Sequence, residues 1–354
     1  MLIVRAPVRI SFFGGGTDLP SYYNIHGGAV LSASISKYFY VLMTEQPDNK
    51  VQIISADLRT MQTLDNLQPE SVEGDLQLPL AAIQHVGLDR GANVFLASEI
   101  LPGTGLGSSG AVAVCLTKAL SEFTERPYDR YGIAETAYYI NSALLGHPGG
   151  KQDEYGSAFG GLKHIEFSAD GVVVHPLDLD PALLRELDSN IMLFFTGASR
   201  ASADILQQQK DACRDARKDT VTALDEIKAM VRRGLALLTA GDLRGFGELL
   251  DEAWQTKKRV AQGVSNPHID ALYDAARANG AVGGKIAGAG GGGFIMLYCE
   301  EERRDAVSRA MSELGAREML FRFDYDGVSV VYDDPFFGSR EGSGSQWQLV
   351  DLQS

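Results

Sequence analysis

The chain has 354 residues, 45% of them hydrophobic, enough for a large core and a better fit to two domains than to one. A net charge of −14 argues against a general nucleic-acid or anionic-membrane surface, but leaves room for a local positive pocket that holds a small anion. Cys115, Cys213 and Cys299 have neither metal-ligand spacing nor the density of a disulfide framework. With no signal-peptide pattern at the start and no membrane-length apolar run, a cytoplasmic protein is expected.

In chain order, the first 55 residues read as strands and turns. "LIVRAPVRISFF" is strand-like around a proline and runs into "GGGTDLPSYY". There three glycines precede Thr17 and Asp18, a turn that can bring backbone to a polar ligand or simply be capped by Asp18. "AVLSASISKYFYVLMTE" and "ANVFLASEIL" read as further strands. The second runs straight into "PGTGLGSSG", Pro102 to Gly110, which opens a helix over 108–124. A Gly-rich loop at a helix start brings bare N–H groups and the positive dipole end to an anion. Its spacing fits neither the Walker A loop nor the dinucleotide fingerprint.

A second helix is expected over 129–145, ending at "GHPGG". The following "GGKQDEYGSAFGG" sets Asp153 between glycine turns with Lys151 two residues before it. Read as strand-like, Lys151 and Asp153 share a side, and a carboxylate beside an ammonium stays ionised. Alone, this stretch reads equally as a catalytic base or a surface salt bridge. "GGLKHIEF" and "GVVVHPL" look like a hairpin. None of the six histidines pairs at metal-ligand spacing.

The second half opens on the buried-type strand "SNIMLFFTG", so a domain boundary is placed at 185/186. Long helices are expected over 202–235 and 242–262, with Leu224, Ile227, Val231 and Leu235 on one face. A further helix spans "NPHIDALYDAARANG". "KIAGAGGGGFIMLYCE" places five glycines within 288–293, costly unless backbone must approach a ligand or another glycine loop. "EERRDAVSRAMSELG" is a helix and "MLFRFDYDGVSVVYDD" a predicted hairpin. This close resembles a ferredoxin-like α+β unit running to residue 334, with 335–354 a polar tail.

Taken in order, "PGTGLGSSGAV", "GGKQDEY" and "KIAGAGGGGF" resemble the phosphate loop, catalytic-Asp segment and C-terminal glycine loop of the GHMP small-molecule kinases, over roughly residues 1–332. "RAPVRISFFGGGTDLPSYY" and "GGKQDEYGSAFGG" look most like the bacterial D-glycero-D-manno-heptose 7-phosphate kinases, which make activated heptose for lipopolysaccharide or capsule. Galactokinases have Glu-His before the Thr-Asp pair, where this chain has Gly15-Gly16.

The resemblance implies a two-domain α+β fold: an N-terminal α/β domain of ribosomal S5-like β-α-β topology and a C-terminal ferredoxin-like domain, with the site between them. It implies ATP and Mg²⁺ as cofactors and a sugar or sugar phosphate as partner, with a homodimer possible. By that likeness Asp153 would be the base, with Arg9 beside it. Pro102, Gly103, Gly105, Leu106, Gly107, Ser108, Ser109, Gly110, Gly290 and Gly291 would hold the nucleotide. Gly15, Gly16, Thr17, Asp18, Gly150 and Lys151 would hold the sugar, and Arg200 a distal phosphate. Ser109 and Asn141 would face Mg²⁺. Relatives carry Glu where this chain has Asn141, and Gln where it has Glu154.

Overall fold

The computed structural model describes residues 1–197, 203–214 and 218–334. The first part of the chain folds as β1 (Leu2–Phe13), α1 (Pro20–His26), β2 (Gly28–Glu45), β3 (Val51–Ser55), β4 (Thr60–Leu64), α2 (Gln77–Val86), β5 (Ala92–Ser98), α3 (Ser108–Phe123), α4 (Arg130–Tyr139), α5 (Gln152–Phe159), β6 (Leu162–Ser168) and β7 (Gly171–Pro176). The rest folds as α6 (Pro181–Asn190), β8 (Ile191–Phe195), α7 (Ala203–Arg214), α8 (Lys218–Ala240), α9 (Leu243–Lys257), α10 (Pro267–Ala278), β9 (Gly283–Ile286), β10 (Phe294–Tyr298), α11 (Arg304–Glu313), β11 (Arg317–Glu318) and β12 (Ser329–Asp333).

Two sheets organise these elements. The larger runs β12-β1-β2-β5-β3-β4, with β6 on β2 and β7 on β6. Strand β2 is long enough to serve two partners: Gly28–Ala33 pair with β6, and Phe39–Glu45 with β5. The β1–β2 register slips between Pro7 and Val8, next to a residue that has no N–H to give the ladder, and again between Ser11 and Phe13. Parallel β3 and β5 are joined through β4 and α2, and β5 leads through the glycine loop into α3, the expected β-α-β start. The smaller sheet runs β11-β8-β10-β9, the strand order of a ferredoxin-like βαββαβ unit.

The hairpin predicted over 319–334 does not form. β11 pairs with β8 in the smaller sheet, while β12 pairs antiparallel with β1 in the larger one. The chain therefore ends its described part on the first sheet, and the 185/186 division falls inside α6. The long helix predicted from 202 is α7 and α8, and Leu224, Ile227 and Val231 are buried as their spacing requires. Phe246 of α9 meets Phe12 and Phe13 of β1 edge-on at 5.2 and 5.1 Å, so the two halves share one apolar core.

Candidate active site

Between the halves lies a cavity of about 600 Å³. One wall is apolar, built from Phe39, Leu76, Leu78, Pro79, Leu96 and Ile100. The other end gathers Arg9, Asp18, Ser109, Asn141, Gln152, Asp153 and Glu154 from five separate segments.

The glycine loop forms the floor. Pro102, Gly103, Gly105, Gly107, Ser108, Ser109 and Gly110 all line the cavity. The serines do not cap α3: the N-cap is Gly107, with no side-chain cap hydrogen bond. Uncapped N–H groups at a helix start form a ready anion site. Leu106 does not line the cavity. Its side chain is fully buried, and its carbonyl accepts from the Arg9 N–H at 3.0 Å.

Asp153 sits in the first turn of α5, which the sequence presented as a strand-like turn. On a helix, two residues are about 200° apart, so Lys151 and Asp153 diverge. Lys151 donates to Glu135 at 2.7 and 2.8 Å and does not line the cavity. Arg9 is the partner Asp153 has: Nε and Nη2 donate to Oδ1 at 2.9 and 2.5 Å, while Nη1 donates to the Gly105 carbonyl at 2.8 Å. One buried guanidinium thereby ties the carboxylate to the glycine loop.

Around the Gly14–Gly16 turn, Gly15, Gly16, Asp18 and Gly150 line the cavity but Thr17 does not. The Thr17 hydroxyl lies within hydrogen-bond reach of the Gly14 and Ala29 carbonyls, either of which can take its one hydrogen, and accepts from the Ala29 N–H, so it braces the turn from within. Asp18 accepts from the Gly16 and Gln152 N–H groups and from Gln152 Nε2, at 2.9, 3.1 and 3.0 Å. Burial, then the charge of Asp153, raises its pKa. Gln152 was missed in the sequence because a strand reading turned it away from Asp153. Its Oε1 is buried in the cavity wall without a protein partner, as are the hydroxyls of Ser11 and Ser108.

The helix expected over 129–145 is α4 plus a π-helical turn over Ile140–Leu144, a wider turn often found at functional sites. It carries Asn141 to the cavity, where Oδ1 accepts from the Ser109 hydroxyl at 3.1 Å and Nδ2 donates to Glu154 Oε1 at 2.9 Å. Glu154 Oε2 is buried and unpartnered. Burial, then the Asp153 charge, pushes the Glu154 pKa up to about 8.

The C-terminal glycine loop reaches the cavity through Gly288 and Ala289. Gly290 and Gly291 do not line it. A Cβ at Gly290 would lie 2.7 Å from the Val264 carbonyl, and the Gly291 N–H donates to that carbonyl at 2.9 Å. The loop's glycines serve backbone contact: a Cβ at Gly288 would lie 2.6 Å from Gly105 Cα, so the two glycine loops meet directly. Lys257 and Lys285, which the motifs did not single out, also line the cavity. Arg200 lies outside the described residues. Away from the cavity, His164, Glu166 and His175 converge on one face of the β6–β7 hairpin, a cross-strand grouping that linear spacing hides.

Residues 77–161 match the family pattern "GHMP kinases N terminal domain", and residues 234–317 match "GHMP kinases C terminal". The chain is similar to the D-glycero-alpha-D-manno-heptose 7-phosphate kinase of Campylobacter jejuni, at 29% identity over 92% of this chain and 97% of that protein. It is 26% identical to the L-fucokinase/L-fucose-1-P guanylyltransferase of Bacteroides fragilis over 84% of its own length, and spans 34% of that relative. Among solved structures, a D-glycero-D-manno-heptose 1-phosphate kinase from Bacteroides thetaiotaomicron matches with a TM-score of 0.79 at 29% identity, covering 94% of this chain and 100% of that one. Streptococcus pneumoniae phosphomevalonate kinase shares the fold at 17% identity, with a TM-score of 0.74 over 91% of this chain and 100% of that one. No helix of the described residues is long and apolar enough to cross a membrane. Both domain patterns of one family are thus present, in their order, around a shared cavity: the chain carries the N-terminal and C-terminal GHMP kinase domains and is itself a kinase.

Proposed function

We propose that this kinase transfers the terminal phosphoryl group of ATP to a sugar hydroxyl, and that the acceptor is the anomeric hydroxyl of D-glycero-D-manno-heptose 7-phosphate. The observation that carries the reading is the Arg9–Asp153 pair held against the uncapped start of α3 within one cavity. The likeness to heptose phosphate kinases over nearly the whole chain supports the choice of acceptor.

In this reading the apolar wall takes the adenine, and the N–H groups of the glycine loop take the phosphates. Gln152 Oε1, Ser11 and the Gly15–Gly16 backbone meet sugar hydroxyls. Asp153 accepts the proton of the attacking hydroxyl. A new P–O bond forms to the sugar oxygen as the bond to the bridging oxygen of ADP breaks. Such transfer depends mainly on positioning and charge neutralisation.

The residues at the π turn fit Mg²⁺. Ser109, Asn141 and Glu154 offer only hard oxygen ligands, and Glu154 Oε2 is a buried carboxylate oxygen without a partner. Mg²⁺ held there would neutralise phosphate charge. Asn141 brings no charge of its own, so Glu154 supplies the one carboxylate of this trio. Glu154→Gln is expected to weaken Mn²⁺ binding to the protein–ATP-analogue complex by about tenfold or more, read by electron paramagnetic resonance. Asn141→Glu should tighten it. An unshifted Mn²⁺ titration in both variants would remove Glu154 and Asn141 from the metal site.

The acceptor is tested by coupled ADP release over a panel of sugars and sugar phosphates. Heptose 7-phosphate is expected to give the highest kcat/KM, ahead of free heptose, fucose, mannose and galactose. Equal kcat/KM for heptose and its 7-phosphate would remove the phosphorylated acceptor. ATP binding without ADP release for any sugar would overturn the enzymatic reading.

A further inference from the structure

Two lysines in the cavity have no part in the mechanism above. Lys285 of β9 is 5% exposed, and its Nζ donates to the Phe12 carbonyl of β1 at 2.8 Å. Lys257, the last residue of α9, is partly buried and donates to the Ile286 carbonyl at 3.2 Å and to the Gly288 carbonyl. Both line the cavity with Arg9. Arg9 has Asp153, but among the described residues neither lysine has a carboxylate partner. Carbonyl dipoles satisfy their hydrogens without cancelling their charge. Desolvation, then the charge of Arg9, pushes Lys257 down to about 7. Lys285 is pushed well below its usual range by burial, then by Lys257 and Arg9. Burying like charges together is unfavourable unless an anion joins them.

The place for that anion follows from the backbone. Lys257 is bonded to Gly288, Gly288 packs on Gly105, and Gly105 is bonded to Arg9. Lys257 and Arg9 therefore flank the junction of the two glycine loops, beside Asp153, and Lys285, bonded to the Phe12 carbonyl, lies close enough to feel the charge of both. We propose that Lys257 and Lys285 bind oxygens of the phosphoryl group in transfer, so that the second half of the chain supplies counter-charge opposite the start of α3. This rests on the phosphoryl-transfer reading. The lysines leave their carbonyls for the phosphoryl oxygens as charge spreads over these in the transition state. They form no bond to phosphorus and take no proton from the sugar.

The test uses the full chain and two kinds of probe. Inorganic tripolyphosphate, titrated calorimetrically, reads the anion site without any sugar. Turnover with heptose 7-phosphate and with free heptose reads the transfer. Lys257→Met is expected to weaken tripolyphosphate binding about tenfold. It should also lower kcat by about 10²-fold with both acceptors alike, the scale for losing one preorganised transition-state donor. Lys257→Arg should restore part of both. Lys285→Met should act in the same direction. Should it fail to fold by circular dichroism, Lys257→Met, which leaves the Phe12 contact in place, carries the decision. Folded Lys257→Met with unchanged tripolyphosphate binding and kcat would overturn the proposal. A loss confined to the phosphorylated acceptor would overturn it too, by placing the lysines at the sugar's own phosphate. Wild-type protein that turns over no sugar would remove the kinase assignment of acceptor, while the tripolyphosphate arm would still decide the role of the lysines.

Discussion

Asp153→Asn is expected to lower kcat by about 10²–10⁴-fold, the usual worth of a general base. The substitution keeps the size of the side chain and one oxygen for the Arg9 fork, so α5 should stay in place. It removes the carboxylate that, in the proposed reading, takes the proton of the sugar hydroxyl. Nucleotide affinity should be unchanged or slightly tighter, because one negative charge beside the phosphates is gone. Calorimetry with a non-hydrolysable ATP analogue separates the two effects. Near-normal kcat would exclude Asp153 as the base, and lost nucleotide binding together with lost kcat would mean a collapsed site instead.

Gly110→Ala is the second large effect expected. Gly110 is in the first turn of α3, and a Cβ there would lie 2.7 Å from Asp153 Cβ, 2.9 Å from its carbonyl carbon and 3.0 Å from the Glu154 nitrogen. Two of these atoms are backbone, so the clash can be relieved only by moving α5 off α3. Two stability effects oppose each other. Overpacking costs about 1–3 kcal/mol, while alanine in a helix is better than glycine by about 1 kcal/mol. The melting temperature should therefore fall only modestly. Catalysis has no such offset: a displacement of about 1 Å can cost 10²-fold. The expected signature is a folded protein whose kcat drops far more than its stability. Equal kcat in Gly110→Ala and wild type would show that the packing of α5 on α3 does not position Asp153.

Much of this site was legible from the chain. "PGTGLGSSG", "GGKQDEY" and the glycines after Lys285 are local patterns, each written within a dozen or so residues, and their order identifies the family. Glycine-loop geometry and the helix after it are decided by neighbouring residues, so sequence suffices. The long amphipathic helices are equally plain, because a 3.6-residue period is a property of the segment itself. Tertiary structure decided which side chains face the cavity. Thr17 and Lys151 sit within recognised motifs, yet one is satisfied by the Gly14 and Ala29 backbone and the other by Glu135, partners set by the packing of α1, α4 and α5. Strand β12 leaves its apparent hairpin for β1, since an edge strand pairs with whichever free edge the fold brings near. Nothing in the sequence singles out Lys257, or Lys285 at the head of its glycine loop, as a cavity residue. Only the meeting of α9, β9 and the N-terminal sheet buries them beside Arg9 and gives them a reason to need an anion.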